Sequence, residues 1–339
     1  MPELPEVERA RRLLENHVVG KRVVEVVAIE SGGGPRDGLF DDIVFEKASV
    51  PGPGTLEDVL LAKECTSASR IGKQMWLEFR DHRVKDGDGV AVLFHHGMTG
   101  SIAVKGLGAT PSRKRMEQTT WPPRFTKCEV VLDDGTRFAF SDPRRIGRIM
   151  IRDTSEVLRK PPLAKLARDA LSDMPSIADF ENALTNCKLP IKALLLDQQK
   201  VIAGIGNWMA DEILLQARIH PGKLSNALSS EQVAKIHEKI SYIVETASEN
   251  LSNGNDLPND WLFHSRWGKG KKNGPTFQGH QVKHVTVGGR TTAFVPALLR
   301  LSTKEPAPAT QTVNKKEQVT KRSTKRTPPR RVSKRLKAK

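Results

Sequence analysis

The chain has little with which to build a cystine framework, a metal cage or a membrane anchor. Its three cysteines, Cys65, Cys128 and Cys187, are scattered over 339 residues. They are too few for a four-thiolate zinc site and fit plain thiols of a reducing compartment. No apolar run approaches the roughly 20 residues that span a bilayer. A charge at Glu3 breaks any signal-peptide pattern. No internal repeat is evident. Gly204 and Gly206 have no strand before them, which argues against a dinucleotide-binding fold. No metal or organic cofactor and no membrane association are expected.

Basic charge is plentiful but unevenly placed. The formal net charge is +16, of which residues 301–339 carry +11 through 13 Lys/Arg against Glu305 and Glu317. Only +5 is left for residues 1–300, so nucleic-acid binding by the folded part has to come from local sites. The tail is rich in Pro, Thr, Ser and Lys/Arg and lacks apolar periodicity, which predicts disorder. Its KRSTKRTPPRRVSKR stretch reads as a nuclear localisation signal, a polyanion grip, or a solvated charge run.

The length suits about two domains. The first eight residues, MPELPEVE, open a helix. Pro5 suits its first turn, and Val7, Ala10, Leu13, Leu14 and Val18 recur at helical spacing up to Gly20. Short β-rich runs follow at 22–29, 75–79, 89–94, 101–104, 127–132, 137–140 and 149–151. Asp133-Asp134-Gly135 marks a hairpin, and residues 107–124 read as a polar loop. Residues 1–151 are thus expected to form a helix plus a mostly antiparallel β domain, a sandwich or barrel. Helical spacing takes over at 163–170, 177–184, 191–196, 207–217 and 230–251, with Asn207, Ser229 and Ser230 as candidate caps. A turn-rich break at 252–260 precedes a hairpin-like segment at 282–295 that turns at Gly288-Gly289. The fold class is α+β, with a helical second domain over 152–260, a finger over 261–300 and a basic tail over 301–339.

Several short stretches carry chemistry. Removal of Met1 would expose the secondary amine of Pro2, a nucleophile able to form an iminium. Glu3 and Glu6 lie close enough to move its protons. By itself the stretch reads first as a well-started helix with carboxylates at the favourable end of its dipole. The turn before Asn207 would aim backbone N–H groups at a phosphate, or simply close a helix hairpin. FHHGMTG and SDPRRIG set His95, Met98, Arg144, Arg145 and Ile146 on turns. Met98 suits an apolar wedge in a base stack, or inward packing. Lys73 at a strand entry and Arg290 beside the Gly-Gly turn are phosphate contacts or plain surface charges.

Together, PELPEVE, RIGKQMWLEF, HHGMTG, SDPRRIG, AGIGNWMADEILLQARIHP and GGRTTAF resemble, in the same order, the motifs of formamidopyrimidine-DNA glycosylases and the related endonuclease VIII-like enzymes, over roughly residues 2–300. The resemblance implies an N-terminal β-sandwich, a helix-two-turns-helix domain and a finger. It also implies a bifunctional DNA glycosylase and abasic-site lyase of base excision repair, working by β- and δ-elimination on duplex DNA with oxidised bases or abasic sites. Pro2 matches the nucleophile, Glu3 the acid at the opening sugar oxygen, and Glu6 the carboxylate that orders the amine. Lys73, His95, Asn207 and Arg290 match the phosphate grip, Met98, Arg144, Arg145 and Ile146 the void-filling set, and Lys200 joins the DNA-binding positions. Bacterial members have phenylalanine in place of Ile146 and a four-cysteine zinc finger. Residues 261–296 therefore resemble the zincless finger of plant, fungal and animal relatives. The shortness of 253–260 puts 8-oxoguanine in doubt as substrate. The implied protein is a nuclear monomer that favours oxidised purines; the alternatives are a glycosylase for oxidised pyrimidines and a non-catalytic damaged-DNA binder.

Overall fold

The computed structural model describes residues 2–28, 45–46, 56–81, 89–109, 120–269 and 274–299. Met1, most of the polar loop at 107–124 and the basic tail lie outside these.

Helix α1 (Leu4–Val18) buries Leu4, Val7, Ala10, Leu14 and Val18 along one stripe, with Pro5 in its first turn. It leads into β1 (Val23–Val27), β2 (Phe45–Glu46) and the short helix α2 (Leu56–Leu60). Strands β3 (Glu64–Ile71), β4 (Gln74–Arg80), β5 (Val90–His95), β6 (Ser101–Val104), β7 (Gly108–Ala109), β8 (Thr126–Leu132), β9 (Arg137–Ser141) and β10 (Arg148–Asp153) complete the β part. They form two five-stranded sheets, ordered β1-β8-β9-β6-β7 and β2-β10-β5-β4-β3. All pairings are antiparallel except β10 with β2. Met75, Leu77 and Phe79 of one sheet face Ile102, Val130, Phe138 and Phe140 of the other across a shared core. The expected sandwich is therefore present. The hairpin at Asp133-Asp134-Gly135 is too, with Gly135 at φ +85°.

The second part contains α3 (Ile177–Thr185), α4 (Ile191–Leu196), α5 (Asn207–Gln216), α6 (Ser230–Ser252) and α7 (Leu262–Ser265). Strands β11 (Thr276–Phe277), β12 (His280–Gln281), β13 (Lys283–Val287) and β14 (Arg290–Phe294) follow, and β13–β14 turns at Gly288-Gly289 as expected. Leu4 at the start of α1 belongs to the core of these helices, whereas Val7 onward belongs to the sandwich core. One helix thus ties both cores, each buried leucine contributing about 1.5–3 kcal/mol.

Three expectations are corrected. Residues 163–170 form only a 3₁₀ turn, Leu163–Lys165. Their apolar spacing arises because Val157 and Leu163 cover Trp76, Leu93 and Met150 on the outer face of the β4-containing sheet. Asn207 is the first helical residue of α5, and Gly206 is the N-cap. A Cβ at 206 would sit 2.1 Å from Glu3 Cδ, so no capping side chain fits there. At α6 the cap is Ser229, whose hydroxyl accepts from Gln232 N–H, and Ser230 is already helical.

Candidate active site

The start of α1 abuts the start of α5. Leu4 N–H donates to Gly204 O at 3.2 Å. A side chain at Gly204, whose φ is +109°, would collide with Leu4 Cδ1 at 2.3 Å. Glu3 is 2% exposed and takes the first free amides of α5. Its Oε1 accepts from Trp208 N–H at 2.9 Å and its Oε2 from Met209 N–H at 3.1 Å. The carboxylate at the head of one helix thus caps another. Glu6 reaches back to accept from Glu3 N–H at 3.0 Å, and its other oxygen accepts from the Trp208 indole N–H at 3.2 Å. Pro2, half-buried, directly precedes this pair.

Electrostatics leave the pair under-compensated. Burial raises the Glu3 carboxyl against the opposing pull of Lys73 and the two α5 amides. Burial, followed by the neighbouring Glu3 charge, pushes Glu6 up to about 7. Lys73, on the β3–β4 turn, donates to Ile205 O at 2.7 Å. Burial lowers its ammonium, Glu3 and Glu6 oppose that, and the Arg290 charge adds to it. Glu6, at about 7, is thus placed to take and release a proton near neutrality.

The Lys73 turn is fixed from behind. Arg70 donates to both oxygens of Asp169, at 2.6 and 3.0 Å, to Glu8 at 3.0 Å and to Gly72 O at 3.0 Å, while Asp169 also accepts from Gly72 N–H at 2.6 Å. Gly72 has φ +58°, and its missing Cβ leaves room for Ala203.

Asn207 and Arg290 come together through the hairpin. Asn207 Nδ2 donates to Thr291 O at 3.0 Å, next to the exposed Arg290. The hairpin is anchored by a buried charge cluster. Lys192, 0% exposed, donates to Asp211 at 2.5 Å and to the Thr292 hydroxyl at 2.8 Å. Asp211 also accepts from Arg266 at 2.7 Å and from Ala293 N–H at 3.1 Å. Burial lowers the Lys192 ammonium and Asp211 opposes it.

Met98, Arg144, Arg145 and Ile146 lie on two turns that Asp142 joins. Fully buried, Asp142 accepts from Arg144, Ile146 and Gly147 N–H at 3.1, 2.8 and 2.7 Å and from the Thr99 hydroxyl at 2.5 Å. Gly97 (φ +56°) lets the turns touch, since a Cβ there would lie 2.7 Å from Gly147 N. Ile146 is left 39% exposed, Arg144 is exposed, Met98 is half-buried, and Arg145 adopts φ +57°. His95 links these turns to Lys73: it pairs with Gln74 and Arg148 in the sheet, and burial and then the Lys73 charge lower its imidazole.

Lys200 stands apart on the α4–α5 turn, exposed and 3.8 Å from Asp197. Sequence reasoning missed Asp142, Thr99, Arg70, Asp169, Lys192, Asp211, Arg266 and Trp208. Two signals were available. An Asp-Pro step favours a turn closed by the Asp side chain. A lone lysine in PIKALLL and the acidic pair in WMADEILL sit in apolar helical runs, where a buried charge needs a partner.

Three family models match the chain: formamidopyrimidine-DNA glycosylase N-terminal domain over residues 1–149, formamidopyrimidine-DNA glycosylase H2TH domain over 166–256, and formamidopyrimidine-DNA glycosylase-like C-terminal domain over 261–296. A formamidopyrimidine-DNA glycosylase of Arabidopsis thaliana is 36% identical over 309 residues, covering 90% of this chain and 72% of the relative. One from Mycobacterium avium is 34% identical over 250 residues, covering 73% of this chain and 77% of the relative. Among solved structures, the Lactococcus lactis protein in complex with DNA containing formamidopyrimidine-dG matches with TM-score 0.67 and 25% identity, over 88% of this chain and 100% of that one.

Proposed function

Because the chain belongs to the formamidopyrimidine-DNA glycosylase family, we propose that it excises oxidised bases through Pro2, freed as a secondary amine by removal of Met1. The protein is a DNA glycosylase and abasic-site lyase of base excision repair, binds damaged duplex DNA and acts on oxidised purines.

The observation that carries the mechanism is the carboxylate pair beside Pro2, held by α5 and faced by Lys73. The Pro2 nitrogen attacks C1′ and the bond from C1′ to the base breaks, the base leaving with the electron pair. Glu3, whose carboxyl is raised by burial, delivers a proton to the sugar ring oxygen as the ring opens and the nitrogen lone pair forms the iminium. Glu6 takes the amine proton. Loss of a C2′ proton to a general base then breaks the bond from C3′ to its phosphate, loss of a C4′ proton breaks the bond from C5′ to the other phosphate, and water hydrolyses the iminium to release Pro2.

Lys73, His95, Asn207 and Arg290 grip phosphates around the lesion, with Lys200 on an outlying phosphate. Base flipping costs a few kcal/mol. Met98, Arg144, Arg145 and Ile146 offset it by filling the vacated stack from the Asp142-braced platform. Residues 261–296 contain no cysteine and do not fit a thiolate zinc site; the Lys192–Asp211–Arg266 cluster supports the reading of a zincless finger. The protein works as a monomer in the nucleus, a location supported by the basic tail at 301–339.

Borohydride trapping on an abasic-site duplex tests this chemistry, because reduction freezes the iminium into a covalent adduct. Protein with a verified Pro2 terminus is expected to form the adduct, and its absence would overturn the mechanism. Deleting residues 301–339 is expected to reduce nuclear accumulation and leave turnover on a short duplex intact.

A further inference from the structure

Trp208 donates a hydrogen bond to each of the two carboxylates. Its backbone N–H donates to Glu3 at 2.9 Å and its indole N–H to Glu6 at 3.2 Å. The ring itself is fixed. It is 4% exposed and packs against Trp261, with centroids 6.3 Å apart, and edge-on to Phe263 at 5.1 Å. Nothing about helix formation or core packing requires an N–H at that place, since phenylalanine offers a similar apolar face. The donor points at a carboxylate whose other oxygen is already held by Glu3 N–H at 3.0 Å.

We propose that Trp208 is the positioning residue of Glu6: its indole N–H and the Glu3 amide hold the two Glu6 oxygens so that the carboxylate stays ionised and aimed for proton transfer with Pro2. This rests on the Pro2 reading above. An indole N–H can only donate, so it favours the charged carboxylate over the acid. That matters here because burial and the Glu3 charge raise Glu6 to about 7, where a modest change in hydrogen bonding decides its state. The charged groups acting on Glu6 are Glu3 beside it, the amino-terminal ammonium, which opposes the rise, and Lys73 on the β3–β4 turn, with Arg290 of the hairpin acting on Lys73. From α5 it receives only the indole, since Asp211 is taken by Lys192 and Arg266 and Glu212 by Phe263 N–H and Gln216.

The experiment is single-turnover formation of the borohydride-trapped adduct on an abasic-site duplex from pH 5 to 9, for the natural protein, Trp208→Phe, Glu6→Gln and the double variant. The acid limb belongs to Pro2 and Glu6 as a coupled pair. Trp208→Phe is expected to move its midpoint up by about half to one pH unit, with a three- to tenfold loss at pH 6 and recovery at high pH. In the Glu6→Gln background the same change is expected to add nothing beyond about twofold. If Trp208→Phe does not fold, 3-benzothienylalanine at 208 keeps the ring outline and removes only the donor. A uniform loss at every pH, or a full effect in the Glu6→Gln background, would reduce Trp208 to packing and overturn the inference. An unmoved limb with trapping intact would overturn it alone, whereas no adduct from the natural protein would overturn the Pro2 reading and this inference with it.

Discussion

The carboxylates at the start of α1 meet opposite treatment. Glu8, two residues beyond Glu6, is saturated by cations: Arg11, Arg12 and Arg70 all donate to it, and Arg70 goes on to Asp169. Burial alone would raise both Glu8 and Asp169. The hydrogen bonds and charges of Arg11 and Arg70 on Glu8, and of Arg70 on Asp169, outweigh it and hold both carboxyls below their ordinary range. Glu3 and Glu6 receive N–H donors from amides and an indole, while Lys73 and Arg266 act on Glu3 and the amino terminus on Glu6 only through space, and both carboxyls are raised. Saturated charge gives a rigid joint, and withheld charge leaves groups able to exchange protons. The two sit back to back on the β3–β4 turn, the first fixing Gly72 and the second facing Lys73.

Substitutions separate the two treatments. Glu3→Gln removes the proposed acid and should lower single-turnover base excision by about 10²–10⁴-fold, with the protein still folded although one α5 amide loses its acceptor; a loss below tenfold would strip Glu3 of that role. Asp169→Asn should leave Arg70 buried without its partner and cost about 3–5 kcal/mol in denaturant unfolding. Glu6→Gln should flatten the pH dependence of denaturant unfolding between pH 4.5 and 8, while its amide nitrogen leaves one of the two N–H donors unmatched at every pH. The sign follows from the raised value of about 7: the native state favours the acid form, so the natural Glu6 weakens stability as pH rises from 4.5 toward 7, and the variant should lack that loss. Glu8 and Asp169 behave oppositely, contributing fully above the ordinary carboxylate range and losing that contribution as pH falls through their lowered values. The smallest effect is expected from Arg290→Ala, which should weaken binding to all duplexes and reduce the salt slope by about one phosphate's worth. An unchanged slope would leave Arg290 without a DNA contact.

Elements whose burial pattern repeats along the chain were legible. Helix α4 matches its expected bounds, 191–196, and β6 matches 101–104. Strand β3 (ECTSASRI) was not read, because its inward positions include the small residues Cys65 and Ala68 and its apolar alternation is faint. The short α7 was missed as well. Pro2, Glu3 and Glu6 stood out because they share one turn, and Gly288-Gly289 marked where Arg290 would be presented. What holds them did not stand out. Arg70 meets Asp169 across 99 positions, Lys192 meets Thr292 across 100, and Trp208 meets Glu3 across 205. Long-range pairing of charges leaves no periodic trace, only an odd polar residue in an apolar run.

The Asp142 brace has a consequence for the order of events on DNA. Met98 and Ile146 belong to turns nearly fifty residues apart, yet Thr99 bonds to the same carboxylate that closes the Ile146 turn, and Gly97 lies against Gly147 N. Two turns braced on one carboxylate have no independent clocks. If both enter the vacated stack, a fluorescent base reporter beside the lesion and one on the opposite strand should respond with a single common rate. Thr99→Val, which cuts the link and keeps the shape, should split that rate into two.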